Sequence, residues 1–323
     1  MKAPAFWSVD GSAARWLSPL STLWTAAGRM RRSAAKPYRS AVPVICIGNA
    51  VAGGSGKTPV ALAIAAEIKE RGLRVGFLSR GYGGYERGPL RVDPATHDAA
   101  AVGDEPLLLA RSGITVIARD RDVGARYLEA QGVEAIVMDD GLQNTSIVPS
   151  GSLLVVDGGA GFGNGRVMPA GPLREPLADA LARVDLVAMI GADRTGVIEA
   201  IGGARPVVRA HLEPMPGTER FAGKKVLAFA GIGRPAKFAE TLAEAGAEVV
   251  DLVGFPDHHR WDAVEVMELV ERASTLGAMA VTTEKDAVRL PAEARAMVEV
   301  FPVALVWRDP SPITAWVRSI LGR

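Results

Sequence analysis

The chain has 323 residues, more than a single hydrophobic core usually serves, so two domains are expected. Hydrophobic residues make up 48% and charged residues 23%, a globular balance, and the net charge of +1 argues against a nucleic-acid-coating protein, which needs a large basic excess on one face. The lone cysteine, Cys46, sits in an apolar run and rules out an intrachain disulfide framework, which fits a reducing compartment.

Residues 1–39 carry seven basic side chains and one acidic one, Asp10, in a chain otherwise balanced. With Ser18 as N-cap and Pro19 in the first turn, Leu20, Leu23, Trp24 and Ala27 form one helical stripe with Arg29, Arg31 and Arg32 just beyond, and Phe6, Trp7 and Trp16 precede it. This pattern suits a helix lying in the interface of an anionic bilayer. No run reaches the roughly 20 apolar residues of a spanning helix. Asp10, Gly11, Arg15 and Pro19 break up any signal peptide, so a cytoplasmic protein is expected.

Short apolar runs at 42–48, 73–79, 114–118, 134–139, 152–157 and 185–190 read as strands buried on both faces. Between the first two, Val60, Ile64 and Ile68 mark a helix over 59–71. The rhythm predicts an α/β fold with a doubly wound, mostly parallel sheet of the P-loop NTPase type. A second, smaller α/β domain is expected from strands at 226–230, 248–252 and 278–283 and a helix at 236–245. The turn-rich Glu213-Pro214-Met215-Pro216-Gly217 marks the boundary, dividing the chain into 1–36, 37–215 and 216–323, with the last part closing over the nucleotide cleft.

Gly53-Gly54-Ser55-Gly56-Lys57-Thr58 follows a strand and opens a helix. That context suits a phosphate loop, in which backbone N–H groups cradle phosphate, lysine reaches the β- and γ-phosphates and threonine ligates magnesium. Val51 stands where the standard pattern has its first glycine, so the loop is a variant. The apolar run ending in Asp139-Asp140 supplies a strand-end carboxylate, Asp139, for magnesium.

These segments resemble the tetraacyldisaccharide 4′-kinases of lipid A biosynthesis from about Pro37 to about Leu290. Besides the loop, the likeness rests on Ser79-Arg80-Gly81-Tyr82-Gly83, Gly103-Asp104-Glu105-Pro106, Asp139-Asp140-Gly141-Leu142-Gln143 and Gly163-Asn164-Gly165-Arg166. It continues through Pro169-Ala170-Gly171-Pro172-Leu173-Arg174-Glu175-Pro176, Phe255-Pro256-Asp257-His258-His259 and Thr283-Glu284-Lys285-Asp286, in that family's order. The resemblance implies transfer of the ATP γ-phosphoryl group, with Mg2+, to the 4′-hydroxyl of an acylated disaccharide 1-phosphate at the cytoplasmic face of the inner membrane. It implies Asp104 as the base paired with His258, Arg174 as a charge-neutralising group and Glu175 in the metal shell. Arg80, Tyr82, Asp140, Gln143 and Asn164 are expected at the acceptor, and Glu284, Lys285 and Asp286 at the nucleotide. A monomer is expected.

Three other readings compete. A P-loop GTPase switch or metal-delivery protein would need an Asn-Lys-x-Asp segment, and Thr283-Glu284-Lys285-Asp286 lacks the intervening residue. A dinucleotide-binding oxidoreductase is suggested by Gly231-Ile232-Gly233-Arg234-Pro235-Ala236, with Asp251 about 20 residues beyond, although Pro235 fits that fingerprint poorly. A membrane-associated scaffold leaves Lys57-Thr58 and the paired aspartates without a use.

Overall fold

The computed structural model describes residues 4–322. A single 3-10 turn at Ala5–Trp7 leads into α1 (Ser12–Ser33), and the first sheet begins with β1 (Val44–Gly48). Then come α2 (Lys57–Lys69), β2 (Val75–Ser79), β3 (Leu90–Arg91), α3 (Ala99–Val102), α4 (Asp104–Ala110), β4 (Ile114–Ile117), α5 (Arg121–Ala130) and β5 (Ala135–Asp139). β6 (Gly151–Asp157), α6 (Leu177–Leu181), β7 (Leu186–Ile190), α7 (Val197–Ile201) and β8 (Val207–Pro214) follow. The second unit contains β9 (Lys225–Ala230), α8 (Pro235–Glu244), β10 (Glu248–Gly254), α9 (Ala263–Thr275), β11 (Met279–Thr283), α10 (Glu284–Ala287), α11 (Ala292–Arg295) and β12 (Glu299–Phe301). The chain ends with β13 (Val303–Trp307) and α12 (Ser311–Leu321).

The nine-stranded sheet runs β13-β8-β7-β6-β1-β5-β2-β4-β3, parallel except at its two edge pairs. β1 lies between β5 and β6, so the loop after β1 faces the carboxyl ends of both neighbours. All five residues of β1, β2, β5 and β7 are buried, as their continuous apolar character predicts. α2 packs Val60, Ala61, Ile64, Ala65 and Ile68 against this sheet, each at most 1% exposed. At about 1.5–3 kcal/mol for each Val or Ile buried, that face fixes the helix, and with it the loop at its start. The second sheet, β10-β9-β11-β12, is wholly parallel.

Two expectations change. The last domain does not run from 216 to 323, because β13 returns to pair antiparallel with β8 and α12 buries Ile313 and Val317 in the core of the first sheet. The second unit is thus an insertion between Pro214 and Val303. β8 escapes a search for continuous apolar runs because it is half exposed, with Arg209, His211 and Glu213 facing out. The N-terminal helix starts at Ser12, not Ser18, and Pro19 lies inside it. Tertiary contacts outweigh the lost backbone bond: Ala14 and Ser21 are buried, and the Ser21 hydroxyl donates to the Val167 carbonyl at 2.6 Å.

Candidate active site

The phosphate loop takes its shape from neighbours on three sides. Gly56 is left-handed (φ 83°) as the N-cap of α2, and a Cβ there would lie 2.5 Å from Ile190 Cδ1, so only glycine fits. Buried Asn49 donates its side-chain amide to the Gly53 carbonyl at 3.2 Å, closing the loop on itself. The variant Val51 has a structural reason. It bridges Leu173 in antiparallel fashion, with Ala52 N–H donating to the Pro172 carbonyl and Arg174 N–H to that of Ala50. The loop's first residues are therefore extended backbone, which valine adopts readily. The same ladder carries Arg174 and Glu175 to the phosphate end.

Asp139 ends β5 beside this loop. Thr58 Oγ1 lies 3.4 Å from its Oδ2, and its other oxygen is buried without a hydrogen-bond partner. Burial pushes the Asp139 carboxyl up to about 6 against the pull of Lys57. A dry carboxylate with a free oxygen next to a threonine hydroxyl fits a hard divalent cation. Asp140 adopts φ 51°, rare outside glycine, which turns its carboxylate toward Lys57 Nζ at 3.7 Å and Arg174 Nη1 at 2.9 Å.

Glu175 is buried: Arg183 at 2.5 Å and Gln143 at 3.1 Å take its Oε1, while Oε2 has no hydrogen-bond partner and faces Arg32 as an ion pair at 3.3 Å. That oxygen is the one open to the expected metal role, against the charge of Arg32. Gln143 bridges Glu175, the Asn49 carbonyl and Arg174, and so braces the loop along with Asp140 rather than facing an open acceptor surface. Asn164 is likewise structural: it binds the carbonyls of Phe6 and Ala170 and caps Arg166 N–H, pinning the N-terminal segment to the 164–171 turn. The only conspicuous candidates left facing outward among the expected acceptor residues are Arg80 and Tyr82, which is 66% exposed.

The expected pair across the cleft forms. Asp104 opens α4 of the first unit, 3% exposed, and its Oδ2 lies 3.0 Å from His258 Nδ1 of the second. Burial works to raise this carboxyl, but the His258 hydrogen bond, a side-chain hydrogen bond with the Glu105 carboxyl and the Lys285 charge outweigh it and hold it well below the usual range. His258 is also left-handed (φ 59°), and the Tyr82 ring meets its imidazole edge-on at 5.4 Å.

The expected nucleotide trio finds other partners here. Lys285 Nζ lies 2.9 Å from Glu105 and 3.8 Å from Asp104, while Asp286 accepts from Gly231 N–H and Arg289. Glu284 is half-buried, and burial raises its carboxyl. The fourth member, Arg289 at 3.4 Å from Asp104, escapes sequence reasoning because it lies one helical turn past the quoted motif. Gly231-Ile232-Gly233 does not form a dinucleotide cradle. Asp286 takes the Gly231 N–H, and Gly233 packs against Gly54 of the phosphate loop. Arg234 and Lys237 reach back to Asp157 at the end of β6, at 2.7 and 3.4 Å, a second link between the units. Past the carboxyl end of β7, a cavity of about 500 Å³ is lined by Met189, Gly191, Ala192, Asp193, Arg209, Ala210, His211 and Arg308.

The chain is similar to known proteins over nearly its whole length. The profile of the family LpxK, described as Tetraacyldisaccharide-1-P 4'-kinase, matches residues 13–322. The chain is 51% identical to a tetraacyldisaccharide 4'-kinase of Rhodospirillum centenum, covering 100% of this chain and 97% of that one. It is 49% identical to that of Paramagnetospirillum magneticum, covering 97% of each. The crystal structure of LpxK from Aquifex aeolicus in complex with ATP superposes with a TM-score of 0.76 at 26% identity, covering 95% of this chain and 99% of that one.

Proposed function

The chain belongs to the tetraacyldisaccharide-1-P 4′-kinase family and is a kinase of lipid A biosynthesis acting on that acylated disaccharide, and we propose the following division of labour for its cleft. The ATP phosphates lie on the 53–58 loop, with Lys57 and Arg174 balancing their charge. Thr58 and Asp139 would hold Mg2+, which would supply positive charge to offset that of the ATP phosphates. The nucleoside occupies the cavity between Gly191 and Arg308, past the carboxyl end of β7. The 4′-hydroxyl oxygen attacks the γ-phosphorus, its proton passes to Asp104, and the bridging oxygen to the β-phosphate leaves with its electron pair. His258 orients Asp104.

The observation that carries this reading is the 3.0 Å contact between Asp104 and His258, which places a buried carboxylate from one unit under the control of the other. Both halves of the site come from one chain, which supports a monomer. The exposed stripe of α1 supports attachment to the cytoplasmic face of the inner membrane: Trp16 is 85%, Leu20 50%, Leu23 67% and Met30 71% exposed on one side, with Arg15 and Arg31 beside them. Among the described residues no helix is long and apolar enough to cross a membrane.

The test is to incubate the purified protein with radiolabelled ATP, magnesium and a panel of acylated glucosamine disaccharides. Label is expected on the 4′-phosphate of the tetraacylated 1-phosphate. Labelling of none of the panel, with ATP bound, would refute the assignment.

A further inference from the structure

His258 has two ring nitrogens in different surroundings. Nδ1 faces Asp104, whereas Nε2 faces Lys285 Nζ at 3.5 Å and the carboxylates of Glu105 and Asp257, each at 3.8 Å. Asp104, Glu105, Asp257, Lys285, Arg289 and the neutral Tyr82 ring are the groups that surround this dyad from every element packed against it. Two carboxylates facing Nε2 would draw a second proton onto the ring and make it an imidazolium. The ammonium of Lys285 opposes this. It is nearer to Nε2 than either carboxylate, and Glu105 at 2.9 Å, Asp257 at 3.7 Å and Asp104 at 3.8 Å hold it there. Of the two cationic side chains, Lys285 and Arg289, that the second unit brings to Asp104, Lys285 is the one that also meets the far nitrogen of the histidine.

We propose that Lys285 is a positioning residue that fixes the tautomer of His258: its ammonium faces Nε2 as donor, leaving the single ring proton on Nδ1 for Asp104. A neutral ring holds the carboxylate in place by one N–H bond without adding a full positive charge beside it. Asp104, already held below the usual carboxylate range, is then not lowered further by another full charge beside those of Lys285 and Arg289. Lys285 acts on the base through the histidine and does not contact ATP. This rests on the Asp104–His258 reading above, and it changes the role that the sequence motif suggests for Lys285.

The net shift of His258 is upward: the hydrogen bond to Asp104 raises its pKa, and burial and the Lys285 charge pull against it, so the ammonium is a restraint on a second protonation. Taking the ammonium away removes one of the two restraints on a second protonation. The active form needs His258 singly protonated, so the acid limb of the kcat profile should move to higher pH, by about one unit or more.

The chain has four histidines, so a 15N-histidine spectrum of the full-length protein is simple, and His258→Gln assigns the His258 signals. In wild type on the basic side of the His258 titration, just above its midpoint, Nδ1 should resonate as a protonated nitrogen and Nε2 as an acceptor. Lys285→Met should show two protonated nitrogens at the same pH, an acid limb moved upward and a kcat roughly tenfold lower at neutrality, with KM for ATP unchanged. Lys285→Arg, which keeps the charge, should restore the wild-type tautomer and pH profile. ATP affinity measured by calorimetry confirms that each variant is folded. A Lys285→Met protein with wild-type nitrogen shifts and pH profile, or one whose main defect is a raised KM for ATP, overturns the proposal. The spectrum is independent of turnover, whereas full activity in Asp104→Asn would overturn the dyad alone.

Discussion

If His258 works only through Asp104, replacing both should cost little more than replacing Asp104. A positioned general base contributes about 10²–10⁴ to rate, so Asp104→Ala should lower turnover by that factor. His258→Ala removes one hydrogen bond at 3.0 Å to a buried carboxylate. Such a bond is worth about 1.5–3 kcal/mol, or roughly 10- to 160-fold. The carboxylate would not be left bare, because Arg289 at 3.4 Å and Lys285 at 3.8 Å remain on it. His258→Ala should therefore be the milder variant. Independent action would multiply the two losses to about 10³–10⁶, while a single unit leaves the double variant near Asp104→Ala. The assay is turnover at saturating ATP and acylated acceptor, with radiolabel transfer as the readout. A double variant at the product of the single losses refutes the reasoning and returns His258 to a substrate-positioning or loop role.

Other outcomes follow from the same site. Lys57→Ala should cut transfer by at least about a hundredfold while shifting stability by less than about 1 kcal/mol, because its one ion-pair partner among the described residues is Asp140 at 3.7 Å; near-normal activity would remove the phosphate-loop assignment. Asp139→Asn should abolish magnesium-dependent turnover yet stabilise the metal-free protein. Folding raises the Asp139 pKa from 3.8 to about 6, so its charged form opposes folding; the penalty is absent below about pH 4, grows as pH rises and is complete above about 6, at roughly 3 kcal/mol. Melting curves of the two proteins should therefore converge toward pH 4 and separate at pH 7, and a pH-independent gap would contradict this. Trp16→Ser with Leu23→Ser should weaken sedimentation with anionic vesicles and spare ATP binding, whereas unchanged sedimentation would place the anchor elsewhere. Point changes are cleaner than deleting residues 1–32, because Trp24 Nε1 donates to the Arg174 carbonyl and Arg29 pairs with Asp179, so a deletion would disturb the Arg174–Glu175 segment.

The central sheet was legible because its strands are buried on both faces and so read as unbroken apolar runs, as in Val44–Gly48 and Leu186–Ile190. The phosphate loop was legible because Gly56-Lys57-Thr58 must stand between such a strand and a helix. What escaped depends on partners distant in the chain. β8 and β13 are half-exposed and gain their identity from each other, and the length of α1 is set by the loop beneath it. Lys285 illustrates the same limit within the site. The motif announced a functional lysine, but its neighbours, Glu105 and His258, lie 180 and 27 positions away, and only the packing of the two units shows which group it serves.

The way the second unit joins the first carries a consequence for protein engineering. Pro214 and Val303 are register partners on adjacent antiparallel strands, so their Cα atoms lie about 4.5–5.5 Å apart, a gap that a two-residue turn spans. Everything between them enters and leaves through this one seam. A gene joined across it would encode the nine-stranded sheet with α12 still seated on its core, the phosphate loop and Asp139 in place, and His258, Lys285 and Arg289 gone. The same seam would accept a foreign insert, making the sheet a chassis on which the inserted unit can be exchanged without rethreading the core.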